Sequence, residues 1–226
     1  MISFVLAESE LEMVPEKLLS HPAVVSSAKR RGKKPEEILL DSNFHHNALK
    51  GIEDGERRGR PDIAHVFLLV ALESIANKRG LIKDVIIHTR NDDVIYINPK
   101  TRIMRSYNRF VGLIEHLFTV SDKPDGNRQL LRLERNVSLE SLIKNLKADR
   151  VAACTRAGKK VNVYNYLERF KGENDIVFII GGFPKGDFKT DVEKIADDLI
   201  SIYTEPLTAW SVVGEIVAVY NLVCGF

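Results

Sequence analysis

Residues 175–210, DIVFIIGGFPKGDFKTDVEKIADDLISIYTEPLTAW, decide the fold. The apolar run Asp175 to Ile180 is typical of a buried strand, Phe188 to Asp198 is predicted to form a helix, and Leu199 to Tyr203 reads as a second strand. Leu207 to Leu222 follows as a long apolar helix. Strands that alternate with helices indicate an α/β fold whose mostly parallel sheet is covered by helices on both faces.

The same alternation continues towards the amino terminus. Ser138 is a fair N-cap for a helix, Val151 to Cys154 reads as a strand, and Val161 to Phe170 reads as a helix. Earlier elements are predicted in this order: a strand at Ile2 to Ala7, helices at Glu36 to Leu49 and Ile63 to Ala76, a β-hairpin of Val85 to Thr89 and Val94 to Asn98, a helix at Thr101 to Leu117, a turn-rich linker at 121–127, and a short strand at Leu130 to Leu133.

The composition is that of an ordinary globular protein. Of 226 residues, 44% are hydrophobic and 28% are charged, which is enough to bury a core. The net charge of +2 argues against a uniformly basic nucleic-acid binder but is compatible with a local basic face. Cys154 and Cys224 lack metal-ligand spacing and are predicted to be reduced thiols of a cytoplasmic protein. The sequence predicts no signal peptide, membrane span or membrane partner.

Two loops follow the last two predicted strands. They are Gly181 to Asp187 and Ile202 to Thr208. Because ligands bind outside the carboxyl ends of parallel strands, we expect a cofactor cleft between these loops. Glycines there would let backbone groups approach a ligand closely, but the pattern is neither a phosphate-binding loop nor a dinucleotide fingerprint. The glycines alone do not distinguish a ligand site from two ordinary turns.

An arginine cluster lies in the predicted helix Thr101 to Leu117. Arg102, Arg105 and Arg109 have spacings of three and four, which place them on one helical face if the helix starts that early. Three like charges on one face repel, so contact with RNA phosphates explains the cluster better than a solvated face does.

A second basic segment is Arg57-Arg58-Gly59-Arg60-Pro61-Asp62. Asp62 could cap the helix that follows, or it could hold Arg60 in a fixed orientation towards a substrate nucleotide. The residue pattern leaves both interpretations open. The pair His45-His46 has no third ligand at metal spacing, so no metal site is predicted.

A set of motifs occurs in a fixed order along nearly the whole chain. The motifs are Leu40-Asp41-Ser42 with His45-His46, Gly59-Arg60-Pro61-Asp62-Ile63, RIMRSYNRF at 102–110 with Gly112-Leu113, GGFPKGDF at 181–188, and YTEPLTAW at 203–210. Each motif alone is weak, but the ordered set is specific. It resembles the ribosome-biogenesis pseudouridine N1-methyltransferases of the SPOUT superfamily, and the short chain is similar to their archaeal-type members.

The resemblance implies a SPOUT fold with a C-terminal trefoil knot, although protein chains are rarely knotted. It implies one domain spanning 1–226, with a hairpin and helix extension inserted within about 12–150. It also implies a homodimer, S-adenosylmethionine as methyl donor, and small-subunit rRNA as the partner whose pseudouridine is methylated at N1. Ribosomal assembly proteins are further expected partners. Methylation of another RNA nucleotide and a non-catalytic role in pre-rRNA assembly stay open as alternatives.

The resemblance also assigns roles to individual residues. RNA contacts are expected from Arg60, which Asp62 would hold, and from Arg102, Arg105 and Arg109. One departure is Met104, where relatives frequently have proline. Arg60 and Asp62 are the expected catalytic pair, but no residue is assigned as general base. Cofactor contacts are expected at Thr155, Gly181, Gly186, Ile202, Tyr203, Thr204, Glu205, Pro206 and Leu207.

Overall fold

The computed structural model of the protein describes residues 1–120, 130–171 and 175–225. Its strands are β1 (Ile2–Ser9), β2 (Ile82–Thr89), β3 (Val94–Ile97), β4 (Leu131–Glu134), β5 (Arg150–Lys160), β6 (Ile176–Gly181) and β7 (Asp198–Ser201). Its helices are α1 (Pro22–Arg30), α2 (Ser42–Leu49), α3 (Pro61–Glu73), α4 (Ile75–Lys78), α5 (Tyr107–Val120), α6 (Leu139–Leu146), α7 (Val163–Arg169) and α8 (Ala209–Val223). The linker predicted at 121–127 lies outside the described residues.

The seven strands form one sheet in the order β4-β3-β2-β1-β6-β5-β7. β1 pairs in parallel with β2 and β6, and β5 pairs in parallel with β6 and β7. The hairpin of β2 and β3, with β4 beside it, is antiparallel. This confirms the mostly parallel α/β sheet predicted from the alternation of strands and helices.

Helices cover both faces of the sheet. Alternate residues of β1 point to opposite faces, so Phe4 packs with Phe67 of α3 and Phe178 of β6, whereas Val5 packs with Leu142 of α6. α3 and α8 pack together on the first face. No helix in the described ranges is both long and apolar enough to cross a membrane.

The helix predicted at Phe188 to Asp198 is wrong. This stretch holds only a short 3-10 turn, Val192–Lys194, before β7 begins. Its backbone is bound to distant strands instead of to itself: Lys189 N–H donates to the carboxylate of Glu8, and Asp197 N–H donates to the carbonyl of Val151 at 2.8 Å. These long-range bonds replace the hydrogen bonds of a helix.

Two predicted helices also begin later than expected. In the segment before α2, the N–H of Leu40 donates to the carbonyl of Glu12. The side chain of Asp41 then caps α2 by accepting a 2.9 Å hydrogen bond from the N–H of Asn43. α5 begins at Tyr107. Before it, the carbonyl of Met104 lies 2.8 Å from Nε2 of His65, so it binds this side chain and not an N–H group of a helix. The arginines at 102 and 105 therefore precede the helix.

β5 bends around β7 at the edge of the sheet. Ile200 faces both Cys154 and Lys159 across an irregularity in β5. A Cβ at Gly158 would lie only 2.5 Å from the backbone of Ile200, so the close approach of the two strands leaves room for glycine but not for a side chain at this position. The trefoil knot, and the single domain with an extension within about 12–150, stay predictions of the resemblance.

Candidate active site

A cavity of about 460 Å³ opens at the carboxyl ends of β5, β6 and β7. Its walls come from the loops after β6 and β7 and from the start of α8, where the strand alternation predicted a cleft. Arg60 and Ile63, at the start of α3, close one side. Thr204 belongs to the loop after β7 but is not part of the cavity lining. The predicted cofactor residues that line it are Thr155, Gly181, Gly186, Ile202, Tyr203, Glu205, Pro206 and Leu207.

Glycines bring the loop after β6 close to β1. A Cβ at Gly182 would lie 2.6 Å from the Cα of Ser9, and Gly182 is bonded through its N–H to Ala7 and through its carbonyl to Glu10. Gly186 has a φ of 83°, a left-handed conformation that favours glycine. The loop can therefore turn over the end of β1 only with glycine at these positions.

Several lining residues were missed by sequence reasoning. Ile180, Ile200 and Trp210 add apolar surface to the cavity. Cys154 also lines it, and burial raises the pKa of this thiol to about 12, so the group stays protonated near neutral pH. Position could have indicated three of them, since Ile180 and Ile200 lie next to the last residue of a strand and Trp210 lies at the start of α8, whereas Cys154 lies within β5.

Three buried carboxylates gather at the end of β1. Glu8, Glu10 and Glu12 are each at most 5% exposed. No role was predicted for them from the sequence. Unpaired buried carboxylates are costly, so each needs a cation. Arg57 binds Glu8 at 2.8 Å and Glu10 at 2.7 Å, Arg58 binds Glu12 at 2.7 Å, and Arg90 binds Glu10 at 2.6 Å.

This buried charge network reaches the cavity through Glu8 and Arg57. Glu8 has a φ of 48°, and its carboxylate accepts hydrogen bonds from the backbone N–H groups of Lys189 and Thr190. Arg57 donates to the carbonyl of Asp187 at 2.7 Å and lies 3.8 Å above the ring of Phe183. The network therefore fixes the loop that forms one wall of the cavity.

Arg60 is held in a fixed orientation at the cavity. Its Nε and Nη2 donate to the two carboxylate oxygens of Asp62 at 2.8 and 2.7 Å, a bidentate pair. Its backbone N–H donates to the carbonyl of Glu10. The hydrogen bond to Asp62 raises the pKa of Arg60, so the guanidinium stays charged. The interpretation of Asp62 as helix cap is wrong, because Arg60 occupies the cap position and Asp62 lies in the first turn.

The arginine cluster does not form one helical face. Arg102 and Arg105 lie in the segment before α5, and only Arg109 lies in the helix. All three are exposed. The bond between His65 and the carbonyl of Met104 ties this segment to α3, one turn beyond Asp62. The cluster is thus brought to α3, the helix that Arg60 precedes, by a tertiary contact and not by a shared helical face.

The fold and the cavity define an α/β protein whose ligand site lies at the carboxyl edge of its sheet, beside a fixed arginine. The EMG1/NEP1 methyltransferase family model matches residues 4–221. The chain belongs to this family, as the ordered motifs predicted. Among the described residues no group of three or more histidine, cysteine or acidic side chains could hold a metal ion.

Individual relatives match along almost their whole length. The chain is 52% identical over 217 residues to the ribosomal RNA small subunit methyltransferase Nep1 of Thermococcus onnurineus, covering 96% of each chain. It is 48% identical to that of Thermococcus kodakarensis, covering 100% of each. Among solved structures, Archaeoglobus fulgidus Nep1 bound to S-adenosylhomocysteine superposes with a TM-score of 0.85 at 35% identity, covering 99% of each chain.

Replacing Arg57 by methionine should destabilise the protein by about 3–5 kcal/mol, because it removes the cation that pairs with the buried carboxylate of Glu8 and leaves Glu10 with Arg90 alone. Urea unfolding measures the change in the free energy of unfolding. Arg132→Met is the matched control: Arg132 also pairs with a carboxylate and lies 4.0 Å above an aromatic ring, but it is 53% exposed against 10% for Arg57. Equal losses for both variants would contradict the structural role of the network.

Proposed function

We propose that this protein transfers a methyl group from S-adenosylmethionine to N1 of a pseudouridine in small-subunit ribosomal RNA. The observation that carries the proposal is the cavity between the loops after β6 and β7, with the Arg60–Asp62 pair at its wall. Family membership supports methyl transfer, and relatives are named as small-subunit rRNA methyltransferases. The related A. fulgidus structure holds S-adenosylhomocysteine, the product that the methyl donor leaves behind.

The cavity suits an adenosyl ligand. Its volume of about 460 Å³ falls in the range of small-molecule sites, and its walls combine apolar side chains with backbone groups of two loops. An adenine and a ribose need such directional hydrogen bonds and an apolar surface. The residues proposed to hold the cofactor are Thr155, Gly181, Gly186 and the six residues Ile202 to Leu207, with Thr204 acting from outside the lining.

Arg60 and Asp62 are proposed to act on the target base. S-adenosylmethionine supplies an already activated methyl group, so the protein mainly aligns donor and acceptor. N1 of pseudouridine is free because the glycosidic bond is to carbon, and it must lose a proton when it is methylated. The charged guanidinium of Arg60 would stabilise the negative charge that develops on the base, and Asp62 would hold its orientation.

The exposed arginines 102, 105 and 109 are proposed to bind the RNA backbone. The bond of His65 to the carbonyl of Met104 ties their segment to α3, and Arg105 pairs with Glu73 at the last residue of this helix at 3.7 Å. Phosphates bound by the cluster would therefore lie along α3, leading away from a base held at Arg60. Phosphate contacts position an RNA, whereas contacts to the base select it. This division of roles separates binding, carried by the cluster, from chemistry, carried by Arg60.

We also propose that the protein is a homodimer and contacts ribosomal assembly proteins, as the family resemblance implies. One exposed apolar side chain on α8, Leu222, is compatible with such an interface, because a second copy would bury its surface.

Methylation of a loop RNA tests the proposed reaction. The protein is incubated with S-adenosylmethionine and one of two otherwise identical RNAs that carry pseudouridine or uridine at the target position. We expect methyl transfer to the pseudouridine RNA only, because uridine has no free N1. Product nucleosides are identified by mass spectrometry. Equal transfer to both RNAs would contradict the pseudouridine assignment, and no transfer to either would favour a non-catalytic assembly role.

Arg60→Lys should slow methyl transfer by about 10²–10³-fold, because lysine cannot form the bidentate pair that fixes the charge beside the base. Single-turnover rates at saturating RNA and cofactor measure the effect. The control is Arg150→Lys, since Arg150 is also paired with an aspartate and is 26% exposed against 28% for Arg60, but lies at the start of β5. A normal rate for Arg60→Lys would remove Arg60 from the mechanism.

Arg105→Ala should weaken RNA binding while cofactor binding stays unchanged. Loss of one phosphate contact lowers the slope of log K against log salt by about 0.7 for a single strand. Fluorescence anisotropy with labelled loop RNA over a salt series measures affinity and slope. Lys194→Ala, which removes an exposed cation far from the arginine cluster along the chain, should change neither. Unchanged binding by Arg105→Ala at low salt would exclude this arginine as an RNA contact.

A further inference from the structure

A second pocket, of about 330 Å³, lies outside the cofactor cavity. It is formed by α1, α2 and the start of α5, and its lining includes Arg30, Asp41, Phe44, His45 and Tyr107. The mechanism proposed above uses none of these side chains. The pocket is large enough for one planar heterocycle.

His45 gives this pocket an unused hydrogen-bond donor. The side chain is 1% exposed, and its Nδ1 accepts a 3.0 Å bond from the N–H of Asp41. Because burial lowers the pKa of His45, the ring is neutral, and the proton lies on Nε2. Nε2 has no partner among the residues that the structure describes. A buried donor without a partner is rare in a folded protein, and an acceptor atom of a ligand in the pocket would satisfy it.

The other walls supply an aromatic surface and positive charge. Phe44 is 50% exposed although it lies at the pocket, and the guanidinium of Arg30 is 5.9 Å from its ring. Arg31 and Lys33 share the single carboxylate of Glu115, each at 2.6 Å. The carboxylate of Asp41 accepts from Tyr107 and Asn43. Lys33 and Glu115 lie just behind the lining, since Glu115 binds Arg31 of the lining and Lys33 binds Glu115. The three cations Arg30, Arg31 and Lys33 outnumber the two carboxylates Glu115 and Asp41, which leaves net positive charge at this side of the pocket.

The pocket adjoins the Arg60–Asp62 pair. The carboxylate of Asp41, in the pocket wall, contributes to the raised pKa of Arg60, and Asp62 in turn contributes to the raised pKa of Tyr107. The N–H of Ser42 donates to the carbonyl of Gly59, next to Arg60, at 2.8 Å. An RNA strand whose target base lies at Arg60 would therefore pass this pocket with a neighbouring nucleotide.

We propose that this pocket binds an unstacked base of the same RNA strand, next to the nucleotide that is methylated. The base stacks on Phe44, a carbonyl oxygen or ring nitrogen accepts from Nε2 of His45, and its phosphate lies near Arg30. Single-stranded RNA is bound in this way, with bases splayed onto aromatic side chains and hydrogen-bonded on their edges. The inference rests on the proposed function for the identity of the ligand as RNA.

A series of abasic RNAs tests the proposal. Each RNA is the pseudouridine loop with the base removed from one nucleotide on either side of the target, and binding to the full-length protein is measured by fluorescence anisotropy. For wild-type protein, loss of the base at one neighbouring position should weaken binding about tenfold. Phe44→Ala should weaken binding of the intact loop by a similar factor. Removing the base at that one position should then cause no further loss, whereas the variant should respond to abasic changes elsewhere as wild-type protein does.

Tyr164→Ala is the matched control, because Tyr164 is 44% exposed on α7 and takes no part in the pocket. It should bind every RNA of the series as wild-type protein does, and thermal unfolding should be unchanged for both variants. Phe44→Ala with the binding profile of wild-type protein would overturn the pocket assignment alone. Absence of methyl transfer by wild-type protein would instead overturn the proposed function, which the binding series does not measure.

Discussion

The pairing of buried carboxylates at the end of β1 is the constraint on which the rest of the site depends. Glu8, Glu10 and Glu12 leave water when β1 enters the centre of the sheet, and each must then meet a cation. The cations come from two separate segments, Arg57 with Arg58 and Arg90, so satisfying the charges also fixes where those segments lie. The network stabilises one arrangement of loops more than it stabilises the protein as a whole, since buried ion pairs gain little over apolar packing.

The same network explains how residues far apart in sequence form one site. The strand that carries Glu10 positions the backbone of Arg60, and Glu8 and Arg57 hold the loop around Asp187 over the cavity. The Arg60–Asp62 pair is bidentate and only partly exposed, so its direction is set before a ligand arrives. A base brought to Arg60 would meet a guanidinium that needs no reorganisation, which is what electrostatic stabilisation requires.

The sheet and the position of the cavity could be predicted from the sequence, because strand alternation is local information and parallel strands share one carboxyl edge. The predicted helix at Phe188 to Asp198 failed because Glu8, 181 residues away from Lys189, takes its backbone N–H groups. The prediction that α5 starts at Thr101 was wrong for a similar reason, since the side chain of His65 binds the carbonyl of Met104. The role of Glu8 had no local signal at all, because an acidic run next to an apolar strand reads as surface.

The span between Glu8 and Lys189 has a consequence for synthesis on the ribosome. Chains emerge from the ribosome with their amino-terminal residues first, and a domain generally folds as a unit. Glu8 emerges near the start. The two backbone N–H groups that donate to its carboxylate belong to Lys189 and Thr190, which emerge only after more than four-fifths of the 226 residues have been made. The wall of the cavity can therefore close only after most of the chain has been made, and β1 also waits for its partner strand β6 until then.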